Sequence, residues 1–135
     1  MKLKPNELRI NNWYKSAKFQ VPVQCMIEDF YELCVLCDDA DLDEEIISRM
    51  FEPLPLTEEW LVKSNCSKIN VPNMYAIGRG DVCISIRFLE EGGNKICIIT
   101  DDEELYLKNH VKYLHEFQNL CLDLTKEEVI FKKIS

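Results

Sequence analysis

Glycine and proline are scarce in this sequence, at 4 and 5 of 135 residues. Low-complexity and disordered chains are rich in both. Their scarcity, with 47% hydrophobic and 30% charged residues, points to a folded globular chain that buries one core of ordinary size. No glycine-rich phosphate loop, no G-x-S-x-G and no H-E-x-x-H occurs, which removes the common signatures of nucleotide binding, serine hydrolysis and zinc proteolysis. Apolar runs are short as well. None approaches the roughly 18 residues needed to span a bilayer, and the start, MKLKPNELRI, lacks the apolar centre of a secretory signal. A cytoplasmic protein with no membrane association is expected.

Positive charge is the other shortage. The net charge is −8, and the two halves agree in sign: residues 1–68 carry 8 basic and 13 acidic side chains, residues 69–135 carry 8 and 11. Nucleic-acid affinity comes largely from Lys and Arg displacing counterions, so direct DNA or RNA binding is not expected. A partner protein with a basic surface fits better.

Seven cysteines are present, an odd number that favours reduced thiols over a disulfide framework. Cys34 and Cys37 have the CxxC spacing of a redox or metal motif. No second pair completes a zinc site, and the motif lies within an apolar run rather than at a helix start, so buried thiols are the plainer reading. Cys83 and Cys97 are placed to face each other across a hairpin. Asp39, Asp41 and Asp43 imitate the start of a calcium loop, but Glu44 stands where the loop needs glycine and Met50 where it needs a bidentate glutamate. His110 and His115 are five residues apart, on different faces of a helix, and read as surface or boundary residues. No metal and no cofactor are expected.

The patterning predicts an α+β fold of mainly antiparallel strands in a single domain, 1–135. A β-rich part covers 1–52, a linker with a short helix 53–65, and a hairpin with one longer helix 66–135. Alternation marks strands near 8–14 and over 18–27, with Pro22 confining the second to a sheet edge. FYELCVLC (30–37) suits a third strand or a buried helical turn, and the strand is favoured. MYAIG, VCISIRFLE and KICIIT read as strands, the last two joined by a tight EGGN turn. From Val111 the apolar positions 111, 114, 117, 120, 121 and 124 repeat at helical spacing. Thr125 then precedes KEE, the pattern of a capping box.

PLPLTEEWL (53–61) has two readings. As a joint it is an extended linker followed by a helix capped by Thr57, with Glu58 and Glu59 in the first turn and Trp60 buried against the N-terminal strands. As a binding site it would expose Trp60 beside Glu58 and Glu59.

NELRINNW, PLPLTEEWL and YLHEFQNLCLDLTKEE, in this order, resemble a family of small uncharacterised proteins of phages, prophages and mobile elements of Bacteroidetes, in which ELRIGN, PIPLTEEWL and VHQLQNLYFALTGEEL recur. The resemblance covers roughly a quarter of the chain. It implies a compact α+β fold in a bacterial host's cytoplasm and no particular activity. Asn11 and Lys126 stand where the family has glycine, which puts the geometry of those two turns in question. The function expected on these grounds is a non-enzymatic accessory protein acting by protein binding. One alternative is an acidic nucleic-acid mimic that inhibits a host defence enzyme through Asp38, Asp39, Asp41, Asp43, Glu44 and Glu45 with Asp101–Glu104. The other is a thiol enzyme using Cys34 or Cys37.

Overall fold

A computed structural model describes residues 2–37 and 43–131, apart from the side chains of Cys37 and Arg79. The fold is α+β. Among the described residues it has four α-helices, one 3-10 turn and eight strands in two antiparallel sheets. By its contacts the chain divides into two compact units, Met1–Pro55 with Tyr113–His115, and Leu56–Lys112 with Glu116–Ser135. The chain first passes from one unit to the other between Pro55 and Leu56, inside the stretch predicted to be a linker.

In the first unit, β1 (Trp13–Ser16) lies between β2 (Pro22–Gln24) and β3 (Phe51–Glu52), so Pro22 is on an edge strand as its missing amide requires. The segment 30–37 is a correction: it belongs to helix α1 (Ile27–Cys37), not to a strand. Its start is closed by Asp29, whose carboxylate accepts the Met26 amide at 2.7 Å, the reach-back bond of a capping box. Leu33 is fully buried and Phe30 packs on the core of Leu3, Leu8, Tyr14, Cys25, Leu33, Ile47 and Phe51. Spacing of three residues between 30 and 33 serves that burial, and a strand would have put the two on opposite faces. Helix α2 (Glu44–Ile47) follows. Asp43 caps it by accepting the Ile46 amide at 3.0 Å.

In the second unit, helix α3 (Glu58–Val62) precedes a five-stranded sheet in the order β4 (Ser67–Lys68), β5 (Met74–Arg79), β6 (Val82–Phe88), β7 (Asn94–Ile99), β8 (Glu104–Lys108). The predicted hairpin is thus the centre of a larger sheet. Its turn uses positive φ at Gly92 and Gly93, as EGGN required. Ile84, Ile86, Ile96 and Ile98 are buried on one face. In the β6–β7 register Cys97 lies opposite Ser85 and Cys83 opposite Ile99, so the two thiols do not face each other. ELYLK, which runs into the long helical period in sequence, is the separate strand β8.

Helix α4 (Leu114–Thr125) starts three residues later than the apolar period suggested. Its last residue, Thr125, starts no second turn. The hydroxyl donates to the Cys121 carbonyl at 2.6 Å and accepts the Glu127 amide at 3.1 Å.

Asn11 and Lys126, the two positions flagged by the family's glycines, have φ of 78° and 62°. Both are left-handed conformations that cost an L-residue free energy and cost glycine little. Lys126 follows the end of α4, the usual place for glycine. Lys126→Gly is therefore expected to raise stability by about 1 kcal/mol. A thermal melt checks the sign; a fall would mean that the Lys126 ammonium, which donates to the Asp123 carbonyl at 3.1 Å, contributes more than the backbone gains.

Candidate functional site

Helix α1 buries little of itself. Ile27, Tyr31 and Val35, spaced four apart and so on one face, are 66%, 74% and 62% exposed. Leu36 and Cys34 are exposed as well. Solvated helix faces normally carry charge, and a row of apolar side chains including a tyrosine is the composition of a recognition surface. The helix has three acidic residues, Glu28, Asp29 and Glu32, and no Lys or Arg.

A cleft of about 490 Å³ lies in the same unit, lined by Phe19 and Val23 of the β1–β2 hairpin, Asp29 and Glu32 of α1, and Arg49 and Met50 before β3. The sequence folds this way because the Ser16 hydroxyl accepts the Phe19 amide at 3.1 Å and Gln20 adopts a φ of 56°, turning the chain tightly with Phe19 at its tip. Lys18 sits 5.2 Å from the Phe19 ring centre. Apolar Phe19, Val23 and Met50 with charged Asp29, Glu32 and Arg49 give the cleft the size and mixed composition of a pocket for one or two side chains of a partner.

The same unit holds a buried polar network that the sequence did not disclose. His115 is 0% exposed, which corrects the reading of it as a surface or boundary residue. Its Nε2 is 2.9 Å from Glu7 Oε2. An ionised carboxylate can only accept, so Nε2 carries the proton of that bond. Tyr14, also fully buried, donates its hydroxyl to the Glu7 carbonyl at 2.7 Å. It accepts the Arg9 amide at 3.1 Å and the Asn12 side-chain amide at 3.3 Å. The His115 ring stacks on Tyr113 at 6.0 Å and meets Tyr14 tilted at 5.3 Å between ring centres.

Burial pushes the Glu7 carboxyl up. The hydrogen bond and charge of His115, with the Lys4 amide, outweigh it and hold the group below its ordinary value of 4.5. The sign follows: the folded chain binds this proton less readily than the unfolded chain, so the stabilisation is complete above about 4.5 and is lost as pH falls through the folded value. An acid titration of stability should show this loss, and Glu7→Gln should flatten it. An unchanged acid limb in that variant would contradict the assignment.

The residues singled out in the sequence are scattered. Asp38, Asp39 and Asp41 lie outside the described residues, and Asp43 is occupied as the α2 cap. Glu45 pairs with Lys2. Among the described residues no group of three or more His, Cys, Asp or Glu could hold a metal ion. Cys34 and Cys37 occupy the second half of α1, away from the helix N-terminus whose amides would favour a thiolate, and Cys34 is exposed, which corrects the reading of it as a buried thiol. Burial pushes the Cys25 thiol up to about 12, and raises Cys121 and Cys66 too.

Trp60 is half-buried, and its ring meets Phe131 edge to face at 5.2 Å, within the second unit. Half-burial is less than the joint reading expects of Trp60. Thr57 caps α3 with its carbonyl alone, taking the Trp60 amide at 3.2 Å, and makes no side-chain cap bond. Glu58 accepts the Tyr75 hydroxyl at 2.9 Å, while Glu59 is exposed. What sequence reasoning missed was the α1 face. The four-residue spacing of Ile27, Tyr31 and Val35 was present, but only once the segment is known to be helical does it become a stripe.

No family model, no curated protein and no solved structure matches this chain. No helix among the described residues is long and apolar enough to cross a membrane.

Proposed function

We propose that this chain is a non-enzymatic accessory protein, of phage or mobile-element type, that works in a bacterial host's cytoplasm by binding another protein through α1. The observation that carries this reading is the exposure of Ile27, Tyr31 and Val35 on one helix face. Tyr31, the most exposed of the three, is of a residue type enriched at binding hot spots, and the branched aliphatic residues on either side add contact area with few rotatable bonds. The partner's surface is apolar with basic residues around it, because Glu28 and Glu32 flank the stripe and α1 has no positive charge to oppose them. The left-handed backbone at Asn11 and Lys126 supports the family resemblance, since glycine is at ease in that conformation.

The thiol alternative is poorly served by its surroundings: Cys34 is exposed whereas His115, a candidate base, is fully buried on Glu7. The mimic alternative would draw on Glu44, Glu45 and the exposed run Asp101–Glu104. Immobilised wild type and the Ile27→Asp/Tyr31→Asp variant, washed with host lysate at low and high salt, separate the readings. A protein kept by wild type at high salt and lost by the variant, with an unchanged melting temperature, is expected. Retention by both chains, or release by salt alone, would overturn the α1 reading, and the second result would favour mimicry.

A further inference from the structure

We propose that β8 is a self-association edge, through which two copies of this chain pair their β8 strands antiparallel about Tyr106. This goes beyond the α1 reading and does not depend on it.

β8 is the terminal strand of the five-stranded sheet, and Glu104, Leu105, Tyr106 and Lys108 are all exposed, Leu105 and Tyr106 at 53% and 54%. The β7–β8 ladder shows which backbone groups are spoken for. The Asn109 amide donates to the Asn94 carbonyl at 2.9 Å, and the Glu103 carbonyl accepts the Thr100 amide at 2.9 Å. Antiparallel strands alternate, so residues 103, 105, 107 and 109 point their amides and carbonyls at β7. Glu104, Tyr106 and Lys108 therefore point theirs outward, the unpaired row of an edge strand.

A two-fold axis at Tyr106 places Tyr106 opposite Tyr106 of the second copy, and Glu104 opposite Lys108. Each of these is a hydrogen-bonded pair, so every outward amide and carbonyl of the three residues finds a partner across the axis. The same register sets the charges. E-L-Y-L-K is antisymmetric in charge about its centre, so each carboxylate meets an ammonium on the same face, on both sides of the two tyrosines. Leu105 meets Leu107 on the other face, the face on which Ile96 and Ile98 are buried, which carries that apolar layer across the axis.

One feature of the single chain supports this occupant above others. Lys95 and Lys108 lie directly opposite each other in the β7–β8 register, a like-charge pair that costs stability on its own. Lys95 turns over the Tyr106 ring, 4.7 Å from its centre. The incoming Glu104 would supply the carboxylate that Lys108 lacks on its own strand. A register shifted by one residue along either strand would pair outward backbone with residues already bonded to β7, and would lose both ion pairs.

Sedimentation of the full chain over a concentration series up to about 1 mM tests the proposal, with charge swaps as the decisive arm. Wild type should dimerise. E104K sets lysine against lysine at both ends of the paired strands, and K108E sets glutamate against glutamate; each should weaken the dimer roughly tenfold or more. E104K/K108E restores opposite charges and should restore the wild-type affinity. All these side chains are exposed, so far-ultraviolet circular dichroism should be the same throughout. A wild type that stays monomeric, a dimer indifferent to both single swaps, or a double swap as weak as the singles would each overturn the proposal.

Discussion

Tyr14→Ala is expected to lower unfolding free energy by about 3–5 kcal/mol, a large share of what a domain of this size possesses. Two losses add. The ring, fully buried and 5.4 Å from Phe51, leaves a cavity in the core of the first unit. The hydroxyl takes with it one donor bond to the Glu7 carbonyl and two acceptor bonds, from the Arg9 and Asn12 amides. Tyr14→Phe separates the two, since it keeps the ring and strips the hydrogen bonds, and should cost about 1–3 kcal/mol. The hydroxyl is a dependable donor at any ordinary pH, because burial pushes it up to about 12. Urea titrations of the two variants check the division. A Tyr14→Phe midpoint equal to wild type would mean that the polar network contributes nothing net.

Gly78→Ala should cost about 1–3 kcal/mol, against the usual expectation that alanine improves a strand glycine. Gly78 lies opposite Cys83 in the β5–β6 pair. A methyl group there would sit 2.9 Å from the Val82 carbonyl oxygen and 3.0 Å from the Cys83 α-carbon. Both are backbone atoms held in the sheet, so relief requires the strands to part. Ordinary propensity would predict a gain of about 0.5–1 kcal/mol instead, so the sign alone decides. A thermal melt at or above that of wild type would show that β5 and β6 can separate at no cost.

Much of the scaffold is legible locally. Pro22 belongs at an edge because it lacks an amide, and β2 is an edge strand. The paired glycines of EGGN specify the β6–β7 turn, and the apolar repeat after Val111 marks α4. These signals live in the residue itself or in its near neighbours. The α1 segment is illegible for the opposite reason. Phe, Tyr, Val and Cys favour strands, but burying Phe30 and Leu33 together requires helical spacing, and packing outweighs propensity. That choice also makes the exposed stripe, so the candidate site is hidden along with the helix. β8 is obscured by context: E-L-Y-L-K alternates as a strand should, yet it leads directly into a strong helical period.

The sequence by itself determined the acidic charge, the lack of recognised catalytic and phosphate-binding motifs, and the place of the EGGN turn, because composition and turn chemistry act over a few residues. Only the tertiary structure decided that Glu7 meets His115 across 108 residues, that Thr57 caps with its carbonyl rather than its hydroxyl, and that β8 ends its sheet with its outer amides open. Each of these depends on which distant segments come together. That is set by how the whole chain buries its apolar surface while satisfying its polar groups, and no local window contains it.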